Sequence, residues 1–274
     1  ENQIVTHFSW DFLNNGEQYV GASAFDGWEI VRAAGSPNAV DYGGSISWGD
    51  HTRWMSGYST YYAAMNNRLN SAYQLNVSTE EGINTLKTWL YDHLEGSPVG
   101  GVCNLYMGYF SPSETLPAGT PEAGMAVKTS TSGSGHTWTI VGYNDSVRWD
   151  YNNDGQYTNH IDINGDGMVN VKDWEIGGVK FANGYSGTGW GNGGFCYLMY
   201  KCLADAYGSG GIWNNTVFVL KIKEHCDPQL TYKVTLKHTC RNMIRVRAGI
   251  ALNTSATQPE YYLDFPHFNY QGGP

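Results

Sequence analysis

The sequence predicts an α+β fold, and three observations predict it. Two amphipathic helical stretches come early, strand-like runs dominate from Pro98 onward, and the two kinds of element do not alternate as βαβ units would. Gly21 to Ala34 reads as a helix: Ala22, Phe25, Trp28, Ile30 and Val31 recur mostly at 3–4 spacing, and Gly35 with Pro37 stops it. Thr79 to Leu94 reads as another, opened by a Ser78-Thr-Glu-Glu81 capping box. Its apolar stripe is Ile83, Leu86, Trp89, Leu90 and Leu94, and Gly96 ends it. Between them 41–53 is a Gly- and Ser-rich loop, and Tyr58 to Leu69 is a third, shorter helix. Strands are expected at Pro98–Tyr106, Thr137–Tyr143, Gly178–Ala182 and Gly194–Tyr200, with a long loop over Ser111–Gly135. From Val217 a further set begins, over Val217–Lys223, Tyr232–Lys237 and Met243–Ile250. Its apolar–polar alternation suits a β-sandwich with one wet face. The expected organisation is a main domain over 1–216 and the start of a β module over 217–274.

Composition excludes some functions. No apolar run approaches the roughly 18 residues of a membrane span. A net charge of −9, with only 16 Lys and Arg spread along the chain, argues against a nucleic-acid partner. With 20 Tyr, 10 Trp and 35 Gly beside 15% charged residues, the chain reads as secreted, extracellular or cell-surface. Asn-x-Ser/Thr triplets begin at Asn76, Asn144, Asn214 and Asn253. Five cysteines leave at least one unpaired; Cys226–Cys240 and then Cys196–Cys202 are candidate pairs, and small buried thiols are the alternative. Both ends read as cut, because Glu1 follows neither Met nor a signal peptide and the end carries no terminal element.

The most specific local motif is an acidic insert over 148–176. Asp162-Ile-Asn-Gly-Asp-Gly-Met-Val-Asn-Val-Lys-Asp173 follows the twelve-residue calcium loop. Asp162, Asn164 and Asp166 take the first, third and fifth places, and Gly167 makes the turn. Met168 offers its carbonyl, Asn170 takes the ninth place, and Asp173 closes the loop as in dockerin versions. A hard cation wants many oxygens at one point, and this spacing supplies them. Just upstream, Asp150, Asn152 and Asp154 followed by Gly155 repeat the opening, but the twelfth place is Ile161. Ca2+ is therefore the expected cofactor. The bland reading is an acidic, solvated turn. Neither loop is flanked by long amphipathic helices on both sides, so a stapled insertion is expected rather than a switch.

On either side of the insert stand Gly133-Ser-Gly-His-Thr-Trp-Thr-Ile-Val-Gly-Tyr143 and Val179-Lys-Phe-Ala-Asn-Gly-Tyr-Ser-Gly-Thr-Gly-Trp-Gly-Asn-Gly-Gly-Phe195. Together they resemble the histidine and asparagine strands of papain-like cysteine peptidases. The resemblance implies a helical half and a β-barrel-like half, with His136 as general base and Asn183 as the residue that orients its imidazole. In such a site an imidazolium lowers the pKa of the attacking thiol, and the third residue fixes the ring. The order of Glu1-Asn-Gln, Gly21-Ala22, a helix and Gly35-Ser-Pro also resembles the family, which implies a substrate subsite at Gly21 and Ala22. Pro98-Val-Gly-Gly-Val102 resembles the strand that floors the S2 pocket, which implies Val102 there. The resemblance runs from Glu1 to about Tyr200.

The chain departs from that pattern twice. The nucleophilic Cys and the oxyanion-hole Gln would precede Glu1. The family's Asn-Ser-Trp-Gly is here Asn183-Gly-Tyr-Ser-Gly187, with Tyr185 as the stand-in for the shielding Trp. The leading expectation is a secreted, calcium-stapled cysteine endopeptidase acting on polypeptides, with the Cys carried by an N-terminal fragment or separate chain. The alternative is a catalytically inactive papain-fold scaffold, binding or self-assembling protein. A carbohydrate-binding, cellulosome-like module is a third and weaker reading.

Overall fold

Local chemistry sets the helix boundaries. The helix expected from Gly21 begins three residues later, because Ser23 caps it by accepting the Asp26 backbone N–H at 3.4 Å. The cap expected at Ser78 forms one residue later, as a single N-cap bond without a capping box. Thr79 Oγ1 caps the Gly82 N–H at 3.2 Å, while the Ser78 hydroxyl turns back to Asn76. The computed structural model of the chain describes residues 4–14, 16–43, 51, 53, 57–130, 134–184, 189–240 and 243–264. By internal contacts it divides into two compact units, residues 1–72 with 220–274, and residues 73–219.

The first unit holds α1 (Thr6–Asp11), α2 (Ala24–Ala34) and α3 (Tyr58–Ala64), the last running into a 3-10 turn at Met65–Asn67. Phe8, Phe12, Ile30, Tyr42 and Ala64 form its core with Val5. The buried Asp11 carboxylate accepts the Tyr42 hydroxyl at 2.6 Å and the Asn14 amide at 3.1 Å. Gly35 ends α2 at φ 78°, and a Cβ there would lie 1.9 Å from the Ala64 carbonyl oxygen. The position therefore requires glycine twice over, for its dihedral and for the close approach. In the C-terminal stretch β9 (Arg247–Ile250) and β10 (Tyr261–Asp264) pair, as an antiparallel ribbon closed by an Arg247–Asp264 ion pair. The alternating segment Tyr232–Lys237 is not a strand; Tyr232, Val234 and Leu236 are exposed, with no ladder partner among the described residues. Alternation is a pattern that a strand needs, and it pairs only where a neighbour is supplied.

The second unit is built on a mixed sheet. The strands of this sheet, of which β1 begins and β8 ends outside residues 73–219, are β1 (Leu69–Asn76), β2 (Cys103–Gly108), β3 (Glu114–Thr115), β4 (Ala126–Lys128), β5 (Gly135–Arg148), β6 (Ile176–Ala182), β7 (Phe195–Met199) and β8 (Thr216–Ile222). The order is β1-β8-β2-β5-β6-β7-β4-β3, with β4 and β7 parallel. It is an open sheet; among the described residues the ladder does not close on itself, so the expected barrel-like half lacks closure. α4 (Glu80–Asp92) contributes Ile83, Leu86, Trp89 and Leu90 to the same core as Leu105, Met107, Trp138, Ile140, Val179 and Phe181. Each such side chain taken fully from water contributes about 1.5–3 kcal/mol. The strand expected from Pro98 starts only at Cys103. A Cβ at Gly100 would stand 1.9 Å from the Leu90 carbonyl oxygen, so this stretch passes against α4 before it can pair. α5 (Tyr200–Ala204) completes the unit. All five cysteines are free. Cys196 and Cys202 direct their thiols to the Tyr197 and Thr129 carbonyls, at 3.3 and 2.8 Å, rather than to each other.

Candidate active site

β5 and β6 form an antiparallel ribbon, and the two residues of the expected dyad lie at the same end of it. His136 is the second residue of β5 and sits opposite Met107; Asn183 follows β6, whose Ala182 pairs with Thr139. Asn183 is buried, its backbone N–H donates to the Gly194 carbonyl at 3.0 Å, and its side chain is hydrogen-bonded to the His136 imidazole. Burial pushes the His136 pKa below the ordinary imidazole value, and the Asn183 bond opposes that shift. Gly135 is placed by sterics: Tyr106 lies across the strand, and a Cβ at Gly135 would fall 1.6 Å from its hydroxyl.

Gly21 and Ala22 are exposed residues of the first unit that lead into the Ser23 cap. Val102 is 56% exposed and lies just before β2. Since Met107 is the residue opposite His136, Val102 stands five positions along, roughly 17 Å away by strand rise. The neighbours that the β2 side supplies to His136 are Met107 and Tyr109. Tyr185 lies outside the described residues, as do 44–50 and 52 of the loop expected at 41–53.

The thiols of this unit do not suit a nucleophile. Cys103, Cys196 and Cys202 are buried, and burial raises all three pKa values, the latter two to about 12. An attacking cysteine needs the opposite shift. Cys226 and Cys240 belong to the first unit.

The acidic insert leaves from the other end of the ribbon, where Arg148 pairs with Ile176. In its second loop Asp162 accepts the Gly165 and Gly167 N–H groups at 2.7 and 2.8 Å. Asn164 Oδ1 accepts from Asp166, Asp166 Oδ1 from Met168, and Asn170 Oδ1 from Lys172. The buried Asp173 closes the loop, taking the N–H groups of Ile163, Asn164 and Asn170 at 3.2, 3.3 and 3.0 Å. The first loop repeats this pattern. Asp150 accepts from Asp154 and Gly155, Asn152 Oδ1 from Asp154, and Asp154 Oδ1 from Gln156.

The closing acid of the first loop is one that sequence reading missed. Glu175, buried, accepts the N–H groups of Tyr151 at 2.8 Å and Thr158 at 3.1 Å. Those are the second and ninth places of the first loop, matching the places at which Asp173 takes Ile163 and Asn170. Ile161, at the nominal twelfth place, is half-exposed and plays no such part. The only trace in the sequence is an acid left over two residues after the second loop ends. Both loops offer hard oxygen donors in the order a calcium ion uses, which fits that ion in ligand type. Among the described residues, however, no three His, Cys, Asp or Glu side chains converge closely enough to form a ready cage; the carboxylates are turned to backbone N–H groups.

No family model matches the chain, and no curated protein matches it. Among solved structures it is similar to the crystal structure of xylellain, a cysteine protease from Xylella fastidiosa. The identity is 14%, the TM-score 0.43, and the alignment covers 80% of this chain and 69% of that one.

Taken on its own chemistry, a half-buried imidazole hydrogen-bonded to a buried amide can hold one tautomer and exchange a proton with a group placed against it.

Proposed function

We propose that this chain carries the histidine–asparagine part of a papain-like cysteine peptidase. The observation that carries this reading is the hydrogen bond of the His136 imidazole to the Asn183 side chain at one end of the β5–β6 ribbon. In this reading His136 takes the proton of an incoming thiol and returns it to the leaving amine, while Asn183 holds the ring. Burial disfavours the imidazolium in the chain as described, and a thiolate beside it would restore it, so the ion pair depends on the nucleophile. In this reading the nucleophile is a cysteine outside these 274 residues, which the burial of Cys103, Cys196 and Cys202 and the upward shift of their thiols support. The substrate is a polypeptide, and the setting is extracellular.

The reading includes calcium as a structural ion. Asp150, Asn152, Asp154 and Glu175 would hold it in the first loop, and Asp162, Asn164, Asp166, Asn170, Asp173 and the Met168 carbonyl in the second. A bound ion would neutralise the carboxylates and fix the insert. From His136 to Arg148 is roughly 35–40 Å of strand, so these loops stabilise and do not take part in the chemistry.

The test uses the protein as its source makes it, treated with a thiol-directed electrophile near neutral pH and mapped by mass spectrometry. The expected result is fast labelling of one cysteine outside the five seen here, slowed about 10²–10⁴-fold by His136→Ala. If no cysteine depends on His136, the peptidase reading fails and the non-catalytic scaffold takes its place.

A further inference from the structure

Asn183 is not the only group that fixes His136. Tyr109 stands edge-on to the imidazole, with ring centroids 5.6 Å apart and planes at 81°. Trp138, two residues along β5 and on the same face, meets it at 4.7 Å and 88°. Tyr109 and Trp138 in turn lie nearly parallel, 5.8 Å apart at 17°, so the imidazole abuts a wall made of two rings.

That wall is held from behind. Trp138 is buried against Phe110, Phe181 and Trp190, at centroid distances of 5.2, 5.3 and 5.1 Å. The Trp190 indole donates to the Phe110 carbonyl at 3.0 Å, which ties the Gly-rich run after Asn183 to the exit of β2. The Tyr109 backbone N–H donates to the Ser134 carbonyl at 2.6 Å and extends the β2–β5 ladder one step. The rings are thus placed by backbone on both sides of the site.

Trp138 also carries a cost that calls for a reason. Its buried indole N–H has no hydrogen-bond partner among the described residues. Such a group costs about 1–3 kcal/mol, and a phenylalanine would fill much of the space without it. What the indole adds is breadth of ring against His136 and Tyr109.

We propose that Tyr109 and Trp138 are positioning residues for His136, whose paired rings clamp the imidazole in the orientation that keeps its bond to Asn183 and hold water off that bond. The functional meaning of the clamp rests on the peptidase reading, but the clamp itself is measurable without activity. Of the groups around His136, Tyr109 is titratable, while Met107, Trp138 and Asn183 are not. Burial lowers the imidazole pKa and the Asn183 bond opposes that shift.

The experiment is histidine-detected NMR of the full chain across acid to neutral pH, with the His136 ring signals assigned by their loss in His136→Gln. Tyr109 is 39% exposed, so its variants spare the core. Tyr109→Phe keeps the ring and is expected to leave the His136 signals and pKa in place. Tyr109→Ala is expected to move the ring signals and raise the His136 pKa toward its ordinary value, as water reaches the imidazole. Trp138→Phe, where folded, is expected to move the same signals. Unchanged His136 signals and pKa in folded Tyr109→Ala would overturn the clamp. Moved signals without any His136-dependent thiol labelling would support the clamp and remove the peptidase reading alone.

Discussion

Replacing Glu175 by Gln tests the first acidic loop without removing bulk. In the structure the Glu175 carboxylate accepts two backbone N–H groups while fully buried. The amide keeps one acceptor oxygen and turns an NH2 toward the other N–H, so one buried donor loses its partner, at about 1–3 kcal/mol. For a chain of this length that is about 2–12 °C in Tm, and it applies with or without an ion. The calcium contribution is a separate quantity. An ion bound only to the folded state, at a hundred times its dissociation constant, adds about 2.7 kcal/mol per site. Chelation should therefore lower the native Tm by about 5–11 °C per occupied loop. The assay is thermal unfolding at fixed free calcium and again in excess chelator, for the native chain, Glu175→Gln and Asp173→Asn. If Glu175 is a ligand, its variant shows a smaller chelator shift than the native chain, and the loop closed by Asp173 supplies what remains. If Glu175 only satisfies backbone donors, both curves fall together and the shift is unchanged, which would refute its role as ligand. A native chain indifferent to chelator would refute calcium in both loops.

Two further outcomes follow from single positions. Gly35→Ala places a Cβ 1.9 Å from a backbone oxygen at φ 78°, so the loss should exceed the roughly 1–2 kcal/mol of the dihedral alone, read by denaturant unfolding. For His136 the folded chain holds the imidazole neutral at pH values where the unfolded chain already protonates it. The unfolded state then binds more protons, so stability is present above the ordinary imidazole pKa and is lost as pH falls through the lowered folded value. His136→Gln should flatten that part of the stability–pH curve, and an identical slope in both proteins would count against a neutral, half-buried imidazole.

The elements carried mainly by local chemistry were legible in the sequence. α2 and α4 follow from apolar spacing and a capping hydroxyl, with errors of a few residues because Ser23 and Thr79 won the cap over their neighbours. β5 and β6 follow from short β-rich runs that have neighbours to pair with. The stretch 232–237 shows the limit: its alternation is as regular, yet pairing is a property of two segments, and none of the described residues supplies the second. Pro98–Val102 shows another, since the clash of Gly100 with α4 is a tertiary fact that strand propensity does not contain.

The candidate site divides along the same line. His136 and Asn183 were readable because each sits in a sequence run of its own, and antiparallel pairing of the two runs brings their ends together. Tyr109 and Glu175 were not, because each acts on a segment distant in sequence through the geometry of a ladder or a loop. Tyr109 reaches His136 only because β2 pairs with β5 so that Met107 faces the histidine and the chain continues one step beyond. Glu175 reaches Tyr151 and Thr158 only because the ribbon returns at Arg148–Ile176 and draws the start of β6 beside the first loop. One ribbon therefore carries both features, the dyad at one end and the acidic loops at the other. Fixing the loops constrains where β6 begins, and the register of β6 decides where Asn183 ends up relative to His136. A one-residue slip would turn a β6 side chain to the opposite face, but the β5–β6 pairing shifts register between Ile140 and Gly142 and between Asn144 and Arg148, so such a slip at the loop end can be absorbed before it reaches Asn183.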